Sequence, residues 1–170
     1  MTQILLVAHA PLASALLAVA QHVFPEQGPS MRAVDVTPQD DAHQVETTIR
    51  SALRALLDQA SNLASNQASN QASNPAAVAP EVLVLVDVFG ATPSNAALAA
   101  AEGLPVRVVT GVSVPMLWRV LGYADKTMDE LVGSAVAGAA QGAFHASVSR
   151  RQNQNILPAA HDHEHHHHQQ

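Results

Sequence analysis

Four apolar stretches along the chain have the pattern of β-strands. Two of them are continuous, QILLVA at 3–8 and EVLVLVDV at 81–88, as expected for parallel strands covered on both faces. The other two alternate more, MRAVDV at 31–36 and PVRVVT at 105–110, which is typical of strands nearer the edges of a sheet.

The segments that separate these strands have the spacing of amphipathic helices. Apolar residues recur every three or four positions over 12–23 and over 45–56, and further helices are predicted at 94–102, 114–122 and 127–141. Because strands and helices alternate, the pattern predicts βαβ units: an α/β fold with an open, mostly parallel sheet and helices on both faces, for which we expect the order 2-1-3-4.

The C-terminal stretch AFHASVS at 143–149 alternates again after the last predicted helix. The turn before it is too short for a parallel crossover, so we predict an antiparallel edge strand. Such a strand could equally pair with a neighbouring subunit.

Two segments are expected to lie outside the core of a single domain that spans residues 1–150. Residues 60–75 repeat the small polar unit Ala-Ser-Asn, which buries too little apolar surface to offset its ordering cost and predicts a mobile loop. The four-residue period could instead extend the preceding helix, although Asn and Ser weaken helices. The tail at 151–170 ends in HDHEHHHHQQ and is expected to be disordered.

Composition and charge exclude several classes of protein. The formal net charge is −6 and no basic run interleaves with aromatic residues, which argues against a nucleic-acid partner. The chain has no cysteine, so disulfides, thiol nucleophiles and thiolate metal sites are excluded. No basic leader and no apolar run of roughly 18 residues is present, so we expect a cytoplasmic protein without membrane insertion.

Polar side chains at the ends of the two central strands are the candidates for chemistry. His9 follows the first strand in VAHAP, and Asp87 closes the third strand. In an open parallel sheet, ligands bind beyond the carboxyl ends of the strands where the strand order reverses. The order 2-1-3-4 therefore predicts that His9 and Asp87 lie side by side at this switch point.

A carboxylate that accepts a hydrogen bond from one ring nitrogen leaves the other nitrogen as a nucleophile. GATPSN at 90–95 then turns into a helix, for which we predict Thr92 as the N-cap and Pro93 as the first residue. Amides at a helix start favour an anionic group. A nucleophilic His9 beside such a start indicates a phosphoryl acceptor.

Simpler interpretations compete with this one. A single histidine at a strand end is more often a packing residue than a catalyst, and Asp87 alone could be a turn residue. The chain has no G-x-S-x-G, G-x-G-x-x-G or P-loop motif, so hydrolase and nucleotide-binding functions lack their fingerprints. His22, His43 and His145 have no partner at metal-ligand spacing and are interpreted as surface or packing residues.

Three motifs in the same order and spacing resemble those of one known family. They are ILLVAHAPLASALL, VLVLVDVFGATPSNAA and VRVVTGVSVPMLWRVL. Together they resemble the IIA domains of the mannose-type (mannose/fructose/sorbose) phosphoenolpyruvate-dependent sugar phosphotransferase system, over residues 3 to about 148.

The resemblance implies a role for each residue of these motifs. His9 would be the phosphorylation site and Asp87 the residue that orients it. The turn after Asp87 would support the phosphate through Gly90, Thr92, Pro93, Ser94 and Asn95. The family pattern has a glycine where this chain has Ala91, which would be strained if that position needs a positive φ.

The resemblance also implies partners. Phosphate would arrive from the phosphocarrier protein HPr and leave to a IIB component, with no cofactor. The family fold implies a homodimer in which the C-terminal antiparallel strand is exchanged between subunits.

Two other functions stay open from the sequence. The protein could be a regulatory IIA-like module whose phosphorylation state controls a partner rather than sugar uptake. It could also handle metal through the histidines of its tail, which lack a defined geometry: His161, His163, His165, His166, His167 and His168.

Overall fold

A computed structural model describes residues 2–70 and 79–146 of the chain. Its strands are β1 (Gln3–His9), β2 (Met31–Val36), β3 (Val82–Val86) and β4 (Val106–Thr110). Its α-helices are α1 (Leu12–Val23), α2 (Ala42–Asn70), α3 (Thr92–Ala101), α4 (Val114–Gly122) and α5 (Met128–Gly142), and a 3-10 helix spans Pro25–Ser30.

The four strands form one parallel sheet in the order β2-β1-β3-β4. His9 at the end of β1 lies opposite Val36 of β2, and Val7 lies opposite Val86 of β3. All four carboxyl ends meet at one edge of the sheet, so the residues that follow β1 and β3 come together there. This architecture confirms the predicted α/β fold class and strand order.

Each face of the sheet has its own buried core, as the alternation of side chains along β1 requires. Ile4 and Leu6 belong to the core formed with α1, α4 and α5. Leu5 and Val7 belong to the core formed with α2 and α3. The same alternation places His9 on the face that α2 and α3 cover, at the carboxyl edge.

The Ala-Ser-Asn repeat is partly helical, so the prediction of a loop over 60–75 is wrong for its first part. Helix α2 continues to Asn70, and within it the hydroxyls of Ser61 and Ser65 donate to the carbonyls of Leu57 and Ser61. The four-residue period thus extends the helix. The end of the repeat, residues 71–75, lies outside the described residues.

The predicted C-terminal strand is described only at its beginning. Residues 143–146 have no regular secondary structure, and residues 147–149 lie outside the described part. Exchange of this strand between subunits therefore stays a prediction. The predicted tail at 151–170, with its histidines, also lies outside the described residues.

In four of the five described α-helices, a side-chain oxygen accepts a hydrogen bond from a backbone amide of the first turn. Asp41 accepts from two amides at the start of α2, Ser113 accepts from Met116 in α4, and Thr127 forms a capping box in α5. Helix α1 has no cap of its own, but Asp35 of β2 accepts from the amide of Ser14 at 3.1 Å. Helix α3 has no such oxygen.

Arg50 connects α2 to the opposite end of α3. Its Nη2 donates to the carbonyls of Ala99 at 3.1 Å and Glu102 at 3.3 Å, where the last carbonyls of α3 lack helical partners. None of the helices in the described residues is both long and apolar enough to cross a membrane.

Candidate functional site

His9 is the last residue of β1 and stands at the carboxyl edge of the sheet. The five residues before it are fully buried, which fixes the backbone of the strand that carries it. Its own side chain is 51% exposed, so the imidazole is open to solvent. The structure thus combines a rigid support with an accessible ring.

Asp87 is the first residue after β3 and holds His9 through one carboxylate oxygen. Its Oδ2 accepts from the backbone amide of His9 at 2.9 Å and lies 2.6 Å from Nδ1 of the His9 ring. Its Oδ1 accepts from the amide of Val88 at 2.8 Å. Both the main chain and the ring of His9 are therefore fixed by the same carboxylate.

These contacts keep Asp87 ionised. Burial alone would raise the pKa of the Asp87 carboxyl, but hydrogen bonds from the His9 amide and ring and from the Val88 amide, with the charge of His9, lower it below its ordinary value. An ionised carboxylate accepts from Nδ1–H, which selects the tautomer with a lone pair on Nε2. Among the described residues, no group forms a hydrogen bond with Nε2, and that nitrogen is available as a nucleophile.

The backbone around Asp87 is tied to the next strand connection. The carbonyl of Asp87 accepts from the amide of Gly111 at 3.0 Å, and the carbonyl of Val86 accepts from Val112 at 2.9 Å. Gly111 has a φ of +87°. The loop after β4 therefore braces the residue that orients His9.

The turn between Asp87 and α3 is built around Gly90, which has a φ of +85°. This is the left-handed conformation that glycine adopts without strain. Ala91, the departure from the family pattern, has a φ of −84° and a ψ of 170°. Since that conformation is ordinary for alanine, the substitution causes no backbone strain.

The N-cap of α3 is Ala91, so the prediction of Thr92 as N-cap is wrong by one residue. Thr92 is the first helical residue and Pro93 lies within the first turn. Because alanine has no side-chain acceptor, the amides of Thr92 and Ser94 have no side-chain oxygen bound to them in the described part of the chain. A helix start with free amides is a favourable place for an anion.

The side chains of the predicted supporting residues have different environments. Thr92 and Asn95 are exposed, and Asn95 donates from Nδ2 to the carbonyl of Gly90 at 3.2 Å. Pro93 and Ser94 are buried, and the Ser94 hydroxyl has no hydrogen-bond partner. Asn95 therefore holds the turn, whereas Pro93 and Ser94 pack beneath it; their role in supporting phosphate stays a prediction.

Two apolar side chains stand in solvent beside this site. Val88 is 51% exposed and Phe89 is 75% exposed, directly after Asp87. Aromatic residues make up only 3% of the chain, and this phenylalanine lies in solvent rather than in the core. Sequence reasoning missed both exposed side chains: it placed Val88 inside the third strand, which ends at Val86, and assigned nothing to Phe89.

Asp35 is a second residue that sequence reasoning missed. It is half-buried at the carboxyl end of β2 and contacts the first turn of α1, the helix that follows His9. No local signal predicts this contact, because the two partners are 21 positions apart in the chain.

The remaining described histidines do not gather into a metal site. His22, His43 and His145 are exposed. Within residues 2–70 and 79–146, no group of three or more His, Cys, Asp or Glu side chains is arranged to hold a metal ion. The histidines predicted as possible ligands, at 161–168, lie outside these ranges.

Comparison with known proteins points to one family. The family model described as PTS system fructose IIA component matches residues 58–136. This stretch includes Asp87 and the turn at 90–95, whereas His9 precedes it. No curated protein sequence matches the chain significantly.

Solved structures extend the likeness to the fold of most of the chain. The mannose/sorbose specific IIA subunit of the phosphotransferase system from Enterococcus faecalis has 21% identity and a TM-score of 0.68, over 88% of this chain and 97% of that one. The phosphotransferase component EIIA from Streptococcus agalactiae has 17% identity and a TM-score of 0.64, over 85% and 97%.

A third structure, the PTS IIA protein associated with the fucose utilization operon of Streptococcus pneumoniae, has 24% identity and a TM-score of 0.62, over 85% and 96%. At these identities the structures demonstrate a shared fold, and the family model adds the sequence likeness. The resemblance drawn from the motifs is confirmed: residues 58–136 match the family model of the PTS system fructose IIA component, and most of the chain shares the fold of these phosphotransferase IIA proteins.

Proposed function

We propose that the protein is a cytoplasmic phosphoryl carrier that accepts phosphate from phospho-HPr on His9 and passes it to a IIB component. The observation that carries this proposal is the 2.6 Å contact between Nδ1 of His9 and Oδ2 of Asp87. It leaves Nε2 free at the open edge of the sheet, where α3 begins without a cap.

The transfer needs one bond to break and one to form. Nε2 of His9 attacks the phosphorus of the donor phosphohistidine in line, the donor P–N bond breaks, and the electron pair returns to the donor imidazole. With Nδ1 still protonated, the phosphorylated ring of His9 is a cation. The Asp87 carboxylate neutralises this charge, and the step requires no metal or cofactor.

The dianionic phosphoryl group also needs hydrogen-bond donors. The start of α3 offers the amides of Thr92 and Ser94 and the exposed hydroxyl of Thr92, together with the positive end of the helix dipole. Asn95 maintains the turn that presents these groups through its bond to Gly90. In transfer to IIB, His9 is the donor: a nucleophile of the partner attacks the phosphorus, the bond between phosphorus and Nε2 breaks, and its electron pair returns to the His9 ring.

We also propose that the protein forms a homodimer. Strand β4 is an outer strand of the described sheet, and its open edge can pair with a strand from a second copy. Near the end of the described chain, Val136 is 56% exposed and Phe144 is 81% exposed. Light scattering on the purified full-length chain is expected to give the mass of a dimer; a monomer at micromolar concentration would contradict this part of the proposal.

The primary test is phosphorylation by a reconstituted system. The purified chain is incubated with phosphoenolpyruvate, the kinase that phosphorylates HPr, and HPr, and intact mass is recorded. We expect one acid-labile phosphate on the unaltered chain and none on His9→Ala. His43→Ala is the matched control, because His43 is also exposed and has no contact with Asp87; it should be phosphorylated like the unaltered chain.

Undiminished phosphate on His9→Ala would overturn the assignment of the acceptor. Addition of a IIB component then separates transport from regulation. Loss of the label to IIB supports the carrier role. A label that stays on His9 in the presence of IIB contradicts that role and indicates the regulatory alternative.

A further inference from the structure

Two helices begin beside His9 at the carboxyl edge of the sheet, and their first turns differ. In α1, the amide of Ser14 donates to Oδ1 of Asp35 at 3.1 Å. In α3, no described side chain occupies the first amides. The start of α1 is therefore closed, in the sense that a carboxylate accepts from one of its first amides, whereas the start of α3 is open because its first amides have no side-chain acceptor.

The closed start belongs to the helix that follows His9 directly. The connection between His9 and α1 is tied to β2 by two hydrogen bonds: the amide of Ala10 donates to the carbonyl of Val36 at 2.9 Å, and Ser14 donates to Asp35. Helix α1 has no acidic residue in its own first turn. Asp35 therefore supplies an acceptor that the helix lacks.

We propose that Asp35 is a positioning residue of the phosphoryl site: by closing the start of α1, its carboxylate fixes the turn behind His9 and leaves α3 as the open start for the phosphoryl group. The inference rests on the function proposed above. Its physical basis is the hydrogen bond: an amide that donates to Asp35 cannot donate to phosphate, and the bond holds the first turn of α1 to β2. Asp35 acts through Ser14 and the turn, without contact with the reacting atoms.

A merely structural cap would make a different prediction. If Asp35 only stabilised α1, its removal would lower the thermal midpoint, and the protein that remains folded would accept phosphate at the usual rate. If Asp35 positions His9, its removal also lowers the transfer rate at saturating donor and changes the tautomer of the His9 imidazole. The rate at saturation, the KM for the donor and the tautomer of His9 distinguish the two roles.

Three variants separate the hydrogen bond from the charge. Asp35→Ala removes both, whereas Asp35→Asn keeps a side-chain carbonyl that can accept from Ser14. Asp40→Asn is the matched control: Asp40 also follows β2, but its Oδ2 accepts from the amide of Thr37 rather than from α1.

The experiment measures the initial rate of phosphate transfer from phospho-HPr to each full-length variant. For Asp35→Ala we expect the rate at saturating donor to fall roughly 10-fold with little change in KM, since loosened orientation of a nucleophile costs about this much or more. For Asp35→Asn and Asp40→Asn we expect rates within about threefold of the unaltered chain, as for the loss of one surface charge.

Nitrogen-15 NMR of the imidazole gives a second readout, in which Asp35→Ala is expected to increase the fraction of His9 without a proton on Nδ1. Should Asp35→Ala fail to fold, Ser14→Pro removes the donor instead of the acceptor at a first-turn position that tolerates proline. It should slow transfer in the same way.

Transfer by Asp35→Ala at the unaltered rate, with only a lower thermal midpoint, would overturn the inference. An equal loss in Asp35→Asn and Asp35→Ala would also overturn it, because the hydrogen bond would then not be the cause. If the unaltered chain itself takes no phosphate from phospho-HPr while the described geometry is intact, it is the proposed function that fails.

Discussion

Helices α3 and α5 begin in opposite ways. At α5, the Thr127 hydroxyl accepts from the amide of Glu130 and the Glu130 carboxylate accepts from the amide of Thr127, so both groups are satisfied reciprocally. At α3, Ala91 offers no acceptor. The start of α5, far from His9, is completed by its own sequence, whereas the start of α3, beside His9, has no side-chain acceptor.

The difference has a cost in stability. A missing N-cap side chain typically costs about 0.5–2 kcal/mol of folding free energy. At α3 this cost coincides with the turn that carries Asp87, Gly90 and Asn95. We interpret the bare start as a functional feature, because α1, α2, α4 and α5 each have a side-chain oxygen at theirs.

The largest effect is expected from Asp87→Asn, which leaves the start of α3 bare and changes only the orientation of His9. An asparagine side chain can present its amide to Nδ1 and favour the wrong tautomer. Loss of a charge-assisted hydrogen bond of about 2–3 kcal/mol corresponds to a transfer rate roughly 30- to 100-fold lower. The rate of phosphate uptake from phospho-HPr measures this, and a decrease smaller than threefold would show that the open helix start alone determines the site.

The next effect is expected from Ala91→Asp, which converts the start of α3 into a capped one. The new carboxylate would compete with the phosphoryl group for the same amides and repel it. A charge about 5 Å from a dianion in water reduces transfer roughly 10-fold. At the same time the cap should raise the free energy of unfolding, by about 0.5–1 kcal/mol.

Thr127→Ala is the counterpart of Ala91→Asp at the other helix. It should lower the free energy of unfolding by about 1 kcal/mol and leave the transfer rate unchanged, because α5 begins at the opposite edge of the sheet. Denaturant unfolding and the same transfer assay measure both quantities. Equal effects of the two substitutions on transfer would contradict the distinction between the two helix starts.

The smallest effect is expected in the pH dependence of the thermal midpoint, compared between the unaltered chain and Asp87→Asn. Folding lowers the pKa of Asp87 below its ordinary value of 3.8, so its ionised form favours the folded state. That contribution is fully present above the ordinary value and is lost as the pH falls through the lowered pKa. Thermal midpoints of the unaltered chain should therefore fall more steeply below pH 3.8 than those of Asp87→Asn. Parallel curves for the two proteins would show that the contacts of Asp87 contribute no stability.

The fold was largely predictable because its signals are local. The continuous apolar runs around Leu5 and Val84 and the helical spacing over 114–122 are each contained in one stretch of sequence. The strand order then brings His9 and Asp87 to the same edge of the sheet. This is why a pair of residues 78 positions apart could be proposed as neighbours.

The details that sequence reasoning missed depend on backbone conformation or on contacts between distant elements. Gly90 has a positive φ in the turn before α3, and Ala91, not Thr92, is the N-cap. The bond between Asp35 and Ser14 joins two elements whose relative position follows from packing. The repeat after Ala60 continues a helix whose core residues come earlier, so its own composition indicated the wrong structure.

Arg50 gives α3 two unequal ends. Its guanidinium donates to the carbonyls of Ala99 and Glu102, so the last turn is fastened to α2, whereas the amides of the first turn have no side-chain acceptor. Under the proposed function, a phosphoryl group bound at the first turn would supply acceptors to its free amides and, as a ligand of the native state, would stabilise that turn. The group in transit would then also be a transient part of the fold, present only between its arrival and its delivery.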